Sequence, residues 1–223
     1  MKKFFSILLL LSLLVLPVSA QAPTIALTFD DGPSGRFTRR LLDGLQEREV
    51  KATFFLCGYR IKEYPGLAER MVEEGHEIGC HGFSHGSMEN MSRRDIAEEI
   101  SATLGLLPEN AKVRFLRPPG GESSVSVKQV AKAKQMPILC WSVDPKDWSI
   151  HDAGVVKAQV VNCVKDGDVV LLHDMSSSSV SAALAIIDTL KARGFRFVTA
   201  SQLAGGSTLR PGEVYYAFPQ AQR

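Results

Sequence analysis

A strand that ends in two carboxylates, Leu27-Thr28-Phe29-Asp30-Asp31-Gly32-Pro33, determines the predicted fold. The apolar, β-branched run from Ile25 to Phe29 stops at the two acids and a Gly-Pro pair, which is typical of a buried strand that delivers acidic side chains into a loop. Because adjacent carboxylates repel each other, we expect a metal ion or an arginine beside them. The alternative is a turn in which both acids only cap the following helix. The two interpretations differ in whether the rest of the chain supplies partners.

The first 22 residues have the pattern of a secretory signal peptide. Lys2 and Lys3 precede an apolar run from Phe4 to Leu16, and small residues follow at positions 18–22. The run is too short to span a bilayer comfortably, and its exit is of the A-x-A type. An uncleaved anchor is the alternative. We therefore expect an exported protein, periplasmic or extracellular, with no stable membrane insertion after cleavage.

The composition fits one sizeable globular domain. The chain has 223 residues, 45% of them hydrophobic, which is enough for one large core but not for two enzyme domains. Removing residues 1–22 takes away two of the 26 basic residues and none of the 24 acidic ones, so the mature protein is formally neutral. This balance gives no electrostatic reason to expect nucleic acid or an anionic membrane as a partner.

The four cysteines allow two interpretations. Cys57, Cys80, Cys140 and Cys163 could pair as disulfides in an oxidising compartment. Three of them lie in predicted strands or at a strand end, where cysteine also packs as a small buried hydrophobe. Their spacing does not match a zinc ribbon, and the sequence leaves both interpretations open.

Apolar strands alternate with amphipathic helices along the chain. After the first strand, the predicted strands cover residues 52–57, 76–80, 113–116, 138–143, 169–172 and 195–199, and the predicted helices cover residues 37–48, 67–74, 92–106, 127–135, 155–165 and 180–193. This order predicts a parallel sheet with right-handed crossovers, either closed as a barrel or open. Residues 176–179 are predicted to form a mobile loop, and residues 206–223 an irregular extension that could add a strand or cover a barrel edge.

Polar side chains follow the carboxyl ends of five predicted strands, where the chemistry of a parallel barrel is located. In chain order they are Asp30 and Asp31, then His81 and His85, then Arg117, then Asp144, Asp147 and Trp148, then His173 and Asp174. Each has an ordinary explanation alone, but their coincidence at one edge indicates a site. Two imidazoles and one carboxylate form the ligand set of a catalytic zinc centre with open positions, so Asp31, His81 and His85 are the natural ligands. Asp30 is then free to act as a base.

Five segments, in this order, resemble the motifs of the polysaccharide deacetylases that share the NodB homology domain, carbohydrate esterase family 4. The segments are Thr28–Pro33, His81–His85, Arg117–Gly121, Asp144–Trp148 and Leu171–His173. The resemblance covers residues 24 to about 203 and implies a distorted, seven-stranded (β/α) barrel. It also implies a catalytic domain at residues 23–205, after the signal peptide at 1–22 and before a C-terminal extension at 206–223.

The resemblance implies a role for each polar residue. Asp30 would be the general base, held by Arg117, and His173 would be the general acid with Asp147 as its carboxylate partner. The metal ligands would be Asp31, His81 and His85. They would hold one divalent ion, with zinc expected first and cobalt or another divalent metal as the alternative.

The resemblance also assigns substrate contacts and exposes two departures from the family pattern. The Gly120 N–H would face an oxyanion, and Trp148 and Leu171 would form a slot for the acetyl methyl group. The family usually has Ser or Thr where this chain has Gly82, so the hydroxyl that steadies that loop is absent or replaced by Ser84. The third motif often carries an aromatic residue where Gly120 stands.

The expected function is the removal of N-acetyl groups from an amino-sugar polymer, either peptidoglycan or a chitin-like chain. One alternative is an O-acetyl esterase acting on a polysaccharide such as xylan. A non-catalytic carbohydrate-binding domain is a second, although every expected catalytic group is present. A metal phosphoesterase would need further ligands or a phosphate-binding loop, and neither is evident. A polysaccharide is therefore the expected partner, and a monomer is favoured.

Overall fold

The central strand is buried along its whole length, which explains its uninterrupted apolar pattern. In the computed structural model, which describes residues 22–218, strand β1 (Thr24–Asp30) lies between β2 (Thr53–Leu56) and β5 (Val169–His173). A parallel strand with neighbours on both sides and helices on its faces needs apolar side chains in both directions. The predicted signal peptide lies outside the described residues, except for Ala22.

The other elements follow in the predicted alternation. The remaining strands are β3 (Glu77–Cys80), β4 (Ile138–Leu139), β6 (Arg196–Phe197) and β7 (Val214–Tyr215). The helices are α1 (Arg36–Glu47), α2 (Gly58–Glu63), α3 (Pro65–Glu73), α4 (Arg93–Leu104), α5 (Val125–Ala133), α6 (Ala153–Cys163), α7 (Ser177–Ala192) and α8 (Ala200–Ala204), with a 3-10 turn at Pro119–Gly121. No helix in the described range is long and apolar enough to cross a membrane.

The sheet is parallel and curves round through single bridges. Its ladder runs in the order β3, β2, β1, β5, with β6 joined to the amino end of β1, while β4 and β7 form a separate parallel pair. Isolated bridges from Cys80 to Leu116, from Leu116 to Ile138 and from Val143 to Val170 continue the arc. The fold is thus the predicted α/β class with a parallel sheet. Within residues 22–218, continuous ladders do not close the barrel.

Three predicted strands are much shorter than expected, and one of them, at residues 195–199, is reduced to the two residues of β6. Of residues 113–116 only Leu116 forms bridges, and Pro118 and Pro119, which have no N–H, keep the strand from continuing past Arg117. Of residues 138–143, the strand β4 occupies only the first two, and Val143 returns as a single bridge to β5. Between them, the Cys140 N–H donates to the Tyr215 carbonyl and the Ser142 N–H to the Val169 carbonyl, so the segment passes from β7 to β5.

The prediction of a mobile loop at residues 176–179 is wrong. Ser176 is the N-cap of α7, and its hydroxyl accepts the backbone N–H of Ser179 at 3.0 Å. Residues 177–179 are therefore the first turn of that helix. Serine is favoured both in loops and at helix N-caps, so the serine run alone could not distinguish the two.

The C-terminal extension adds a strand, which was one of its two predicted outcomes. Strand β7 pairs with β4, and the backbone N–H of Phe218 donates to the Gly167 carbonyl at 2.8 Å. All four cysteines are free: Cys57, Cys80 and Cys140 are buried, whereas Cys163 is exposed. The three buried thiols therefore pack as hydrophobes, as one of the two interpretations expected.

Candidate active site

The parallel register places the predicted acids and imidazoles at one edge of the sheet. Asp30 is the last residue of β1 and lies directly opposite His173, the last residue of β5. His81 follows the end of β3. There the Cys80 carbonyl accepts the Arg117 N–H at 2.9 Å, which brings the Arg117 segment beside β3. Three neighbouring chain segments therefore end at the same place, as the carboxyl ends of parallel strands must.

Arg117 is fully buried and orients the first of the two adjacent carboxylates. Its Nη1 donates to Asp30 Oδ1 at 2.7 Å and to the Thr28 hydroxyl oxygen at 2.8 Å. The Thr28 hydroxyl in turn donates to the Val170 carbonyl, so its oxygen is left to accept from the arginine. Asp30 Oδ1 is thereby held in place, while Oδ2 lies 3.8 Å from His81 Nε2.

The Nε and Nη2 groups of the Arg117 side chain are also hydrogen-bonded. Its Nε donates to the Leu139 carbonyl at 2.7 Å and its Nη2 to the Cys140 carbonyl at 2.8 Å, while the guanidinium lies over the Phe55 ring at 3.9 Å from its centroid. A buried guanidinium is tolerated only when its donors are satisfied. Arg117 therefore joins β1 and β4 as well as orienting Asp30.

The second carboxylate faces the two histidines of the following loop. His85 Nε2 lies 2.9 Å and His81 Nε2 lies 3.2 Å from Asp31 Oδ1, and one ligand atom from each of the three residues falls within 4.8 Å of the others. Asp31 Oδ1 is buried and has no hydrogen-bond partner of acceptable geometry in the described part of the chain. An oxygen and two nitrogens that converge without hydrogen bonding are what a shared cation would need, so these residues fit a metal.

The tautomer of His81 suits the same role. Its Nδ1 lies 2.7 Å from the Arg117 carbonyl oxygen, so Nδ1 must carry the proton and donate, which leaves the lone pair of Nε2 free. Burial alone would raise the pKa of Asp31, but the adjacent His81 and His85 imidazoles hold it far below its usual range. The Asp31 carboxylate also raises the pKa of His85. This cluster therefore attracts positive charge.

His173 is paired with Asp147 on the opposite side of the site. Its Nδ1 lies 2.8 Å from Asp147 Oδ1, and its backbone N–H donates to Asp147 Oδ2 at 2.9 Å. Burial opposes protonation of the ring, but the hydrogen bond and charge of Asp147, with the charges of Asp30 and Asp31, outweigh it and raise the pKa of His173 to about 9. The Nε2 of His173 points toward Asp31, with Oδ2 at 3.9 Å.

The three predicted substrate contacts lie on the segments that carry these groups. Leu171 is buried on β5, two residues before His173, whereas Trp148 follows Asp147 and is 60% exposed. Gly120 is exposed in the 3-10 turn after Arg117, and its φ of 67° is in the left-handed region. A side chain at Gly120 would therefore be strained, which is consistent with the absence of the aromatic residue usual in the family.

The comparison with known proteins agrees with this arrangement. A family model described as polysaccharide deacetylase matches residues 18–139. The chain belongs to the polysaccharide deacetylase family. Peptidoglycan-N-acetylglucosamine deacetylase PgdA of Listeria monocytogenes is 37% identical over 199 residues, which are 86% of this chain and 41% of that protein. A peptidoglycan-N-acetylglucosamine deacetylase of Bacillus cereus is 38% identical over 185 residues, 80% of this chain and 87% of that protein.

The likeness extends to solved structures and confirms the predicted family and fold class. The family 4 acetyl xylan esterase of Clostridium thermocellum, in complex with a cobalt ion, superposes with a TM-score of 0.81 at 35% identity. The alignment covers 88% of this chain and 100% of that chain. This chain thus spans about two fifths of the Listeria relative's length, but the full length of the esterase chain.

The loop that carries His81 and His85 is held by an acid that the sequence did not single out. Glu99 Oε2 on α4 accepts the backbone N–H groups of Phe83 and Ser84 at 2.7 and 2.8 Å. Gly82 has a φ of 80°, and a Cβ there would meet the Met88 methyl group at 2.7 Å. The Glu99 carboxylate therefore steadies the loop where the family usually uses a hydroxyl. The only sequence signal was its place beside the buried Ile96 and Ile100.

Asp174, which the sequence placed among the polar side chains at this edge without a role, fastens the loop after the two carboxylates. Asp174 is fully buried, its carboxylate accepts the Thr38 hydroxyl, and its backbone carbonyl accepts the Ser34 hydroxyl. A Cβ on Gly32 would meet Asp174 Oδ1 at 2.6 Å, so only glycine fits beside it. Burial raises the pKa of Asp174 to about 6. Asp174 thereby ties the start of α1 to the end of β5.

Proposed function

We propose that this protein is an exported, metal-dependent hydrolase that removes N-acetyl groups from an amino-sugar polymer, with peptidoglycan as the first candidate and chitin-like chains as the second. The observation that carries the proposal is the separation of the two adjacent acids. Asp30 is held by Arg117, whereas Asp31 faces the two imidazoles of His81 and His85. A turn that only capped a helix would not divide the acids in this way.

Each residue of the site has a task in such a reaction. A divalent ion held by Asp31, His81 and His85 would supply Lewis-acid polarisation of the acetyl carbonyl and lower the pKa of water. Asp30 accepts the proton of the attacking water through Oδ2, because Arg117 holds its Oδ1 and keeps the carboxylate oriented.

The opposite side of the site completes the reaction. His173, protonated at neutral pH, donates the proton of its Nε2 to the leaving amine, and Asp147 keeps the ring oriented and charged. The Gly120 N–H serves as a donor to the developing oxyanion. Trp148 and Leu171 bound the space for the acetyl methyl group, which favours acetyl over larger acyl groups by size.

The chemistry of the three ligands supports the proposed metal, and the pattern of residues 1–22 supports the proposed location. Two imidazoles and one carboxylate favour zinc, and cobalt prefers similar ligands. The esterase from Clostridium thermocellum was solved with cobalt, which supports a divalent ion in this fold. The charged and apolar pattern of residues 1–22 supports export, where a cell-wall polymer is accessible.

Acetate release from defined polymers tests the proposal. The mature protein loaded with zinc is incubated with N-acetylglucosamine oligomers, peptidoglycan and acetylated xylan, and acetate is measured against the Asp30→Asn variant. We expect acetate from at least one of the two amide substrates, and a loss of about 10²-fold or more in the variant. No acetate from any of the three polymers, with wild type and variant alike, would disprove the enzymatic assignment and favour a carbohydrate-binding domain.

Ester hydrolysis is the second candidate, and the likeness to an acetyl xylan esterase specifically favours it. An alkoxide leaves more easily than an amide anion, so an ester needs less help from a general acid. We therefore expect His173→Ala to depress amide hydrolysis far more than ester hydrolysis. Equal losses on both substrates would mean that His173 does not serve as the proton donor.

A further inference from the structure

A cleft lies at the end of the sheet opposite the catalytic edge. It has a volume of about 730 Å³ and is formed where β3 and β4 begin, with the segment before Leu116 on one side and α8 on the other. The catalytic residues lie at the carboxyl ends of the same strands. This size is within the usual range of ligand sites, and none of the groups assigned to catalysis lines the cleft.

Three basic side chains line the cleft without acidic partners. No carboxylate in the described part of the chain lies within 4.0 Å of the charged groups of Lys112, Arg114 or Lys134. The Lys134 ammonium donates to the Ser101 hydroxyl at 2.6 Å, and the Arg114 guanidinium lies 5.5 Å from the centroid of the Phe115 ring. Since the mature chain is formally neutral, this positive charge is a local concentration.

The one acid among the lining residues is already hydrogen-bonded within the fold. Glu77 Oε2 accepts the Thr53 hydroxyl at 3.0 Å and the Ser201 backbone N–H at 2.9 Å, and its Oε1 accepts the Ser201 hydroxyl. These bonds tie α8 to the first residues of β2 and β3. Both carboxylate oxygens of Glu77 are therefore occupied by hydrogen bonds within the fold. The charged groups of Lys112, Arg114 and Lys134 are available to a ligand.

His76 belongs to the buried wall of the cleft, and its ring is out of reach of a ligand. Its side chain is 1% exposed, and its Nδ1 accepts the Ala52 N–H at 3.1 Å, which leaves the proton on Nε2. Nε2 has no hydrogen-bond partner within residues 22–218, and Glu74 Oε2 lies 3.7 Å away. Burial, with the charges of Lys51 and Arg70, lowers the pKa of His76 to about 4, so the ring is neutral.

The remaining lining suits a glycan better than a nucleic acid. The exposed amides of Asn110, Gln135 and Gln202 match sugar hydroxyls, because each keeps at least one amide atom without a hydrogen bond in residues 22–218. The half-buried Val72 and Val113 match the C–H faces of a sugar ring. The lining contains no Phe, Tyr or Trp among the described residues, so it lacks the stacking surface that binds exposed bases.

We propose that this cleft binds an acidic glycan, a polysaccharide segment that carries carboxylate groups. Lys112, Arg114 and Lys134 pair with the carboxylates, and the amides bind the sugar hydroxyls. Because the cleft and the catalytic edge are at opposite ends of the strands, a bound acidic strand leaves the catalytic edge free. The cleft would then hold the protein on an acidic polymer while another chain is processed.

Binding of a galacturonic acid hexamer, measured by titration calorimetry on the mature protein, tests the proposal. We compare wild type with Lys112→Ala/Arg114→Ala/Lys134→Ala, and with the control Lys128→Ala/Lys157→Ala/Lys165→Ala, which removes the same charge outside the cleft. We expect binding that weakens with added salt, about tenfold weaker in the cleft variant and unchanged in the control. Equal weakening in both triple variants, or no binding by wild type, would overturn the proposal.

Two further arms separate the ligand class and the fold. Inorganic phosphate should bind much more weakly than the hexamer, and phosphate binding as tight as that of the hexamer would contradict a glycan site. Acetate release from neutral N-acetylglucosamine oligomers should be the same in the cleft variant and in wild type, which shows that the variant is folded. The binding measurement needs no turnover, so its failure leaves the proposed deacetylase activity untouched.

Discussion

Asp30 and Asp31 are neighbours in the sequence but have separate partners in the structure. Asp30 keeps the strand conformation and meets Arg117, whereas Asp31 has a φ of 70°, which turns its carboxylate toward His81 and His85. Aspartate tolerates this left-handed region better than most residues do. One change of backbone conformation between adjacent residues therefore gives two repelling charges separate partners, as the proposed roles of base and metal ligand require.

The pH dependence of activity should report the pairing of His173 with Asp147. His173 acts as an acid only when protonated, so activity falls as the pH rises through its pKa. Removing the Asp147 charge in Asp147→Asn removes a main cause of the raised pKa and should move the alkaline limb of the pH–rate profile to lower pH by about one to two units. A metal ion beside Asp31 would lower the pKa of His173 in wild type, but it would not change the direction of this shift.

The matched control for this change is Asp144→Asn. Asp144 lies in the same loop, is exposed, and accepts the Lys146 backbone N–H at 2.8 Å rather than a proton from His173. We expect its alkaline limb to coincide with that of wild type. An unmoved limb in Asp147→Asn, with kcat reduced at every pH, would mean that Asp147 acts only as a structural support.

At the scale of elements, the loop after β3 depends on helix α4. Glu99 supplies the acceptor that Phe83 and Ser84 need, and so fixes the backbone between the two histidines. Groups that orient metal ligands typically change affinity by about tenfold or more when removed. We therefore expect Glu99→Ala to weaken zinc binding by about tenfold, measured by competition with a chromophoric chelator.

Glu98→Ala is the control for this prediction. Glu98 is the preceding residue on α4, is largely exposed, and pairs with Arg94 at 2.8 Å on the helix surface. Its loss should change zinc affinity by less than about twofold, because exposed pairs contribute little. Equal weakening in both variants would show that α4 affects the site through general helix stability instead of through the Glu99 carboxylate.

The elements that were predictable from the sequence are those with a local signal. Continuous apolar runs predict β1, β2 and β5 from their own residues. Helix α4 is predicted by its N-cap, Ser92, whose side chain accepts the Asp95 N–H. Helix α2 is not predicted, since its six residues are too few to show a period. The roles of Glu99 and Asp174 could not be predicted for another reason: their partners are distant in sequence, and only the fold brings them together.

At the scale of the whole molecule, the C-terminal segment completes the sheet end opposite the catalytic edge. Phe218 is 7% exposed and belongs to the same buried cluster as Phe55, Phe115 and Leu139. Phe218→Ala should therefore lower the free energy of unfolding by about 3 kcal/mol, measured by urea titration. Tyr216→Ala, at a side chain that is 55% exposed, should stay within about 0.5 kcal/mol of wild type.

Equal losses in these two variants would contradict the packing of Phe218. A loss confined to Phe218→Ala would show that the extension stabilises the domain although it contributes no catalytic group. Stabilising contacts thus lie at the amino ends of the strands, and the proposed catalytic groups lie at the carboxyl ends. This is the usual division in parallel (β/α) folds. The basic cleft lies at the stabilising end and so is independent of the catalytic groups.

The two adjacent carboxylates should divide metal binding and base catalysis between them. Zinc titration of the metal-free protein, compared among wild type, Asp30→Asn and Asp31→Asn, measures this division of roles. We predict that Asp30→Asn binds one zinc ion with an affinity within about threefold of wild type, and that Asp31→Asn loses at least about 100-fold. Normal zinc binding by Asp31→Asn together with lost binding by Asp30→Asn would contradict this division of roles.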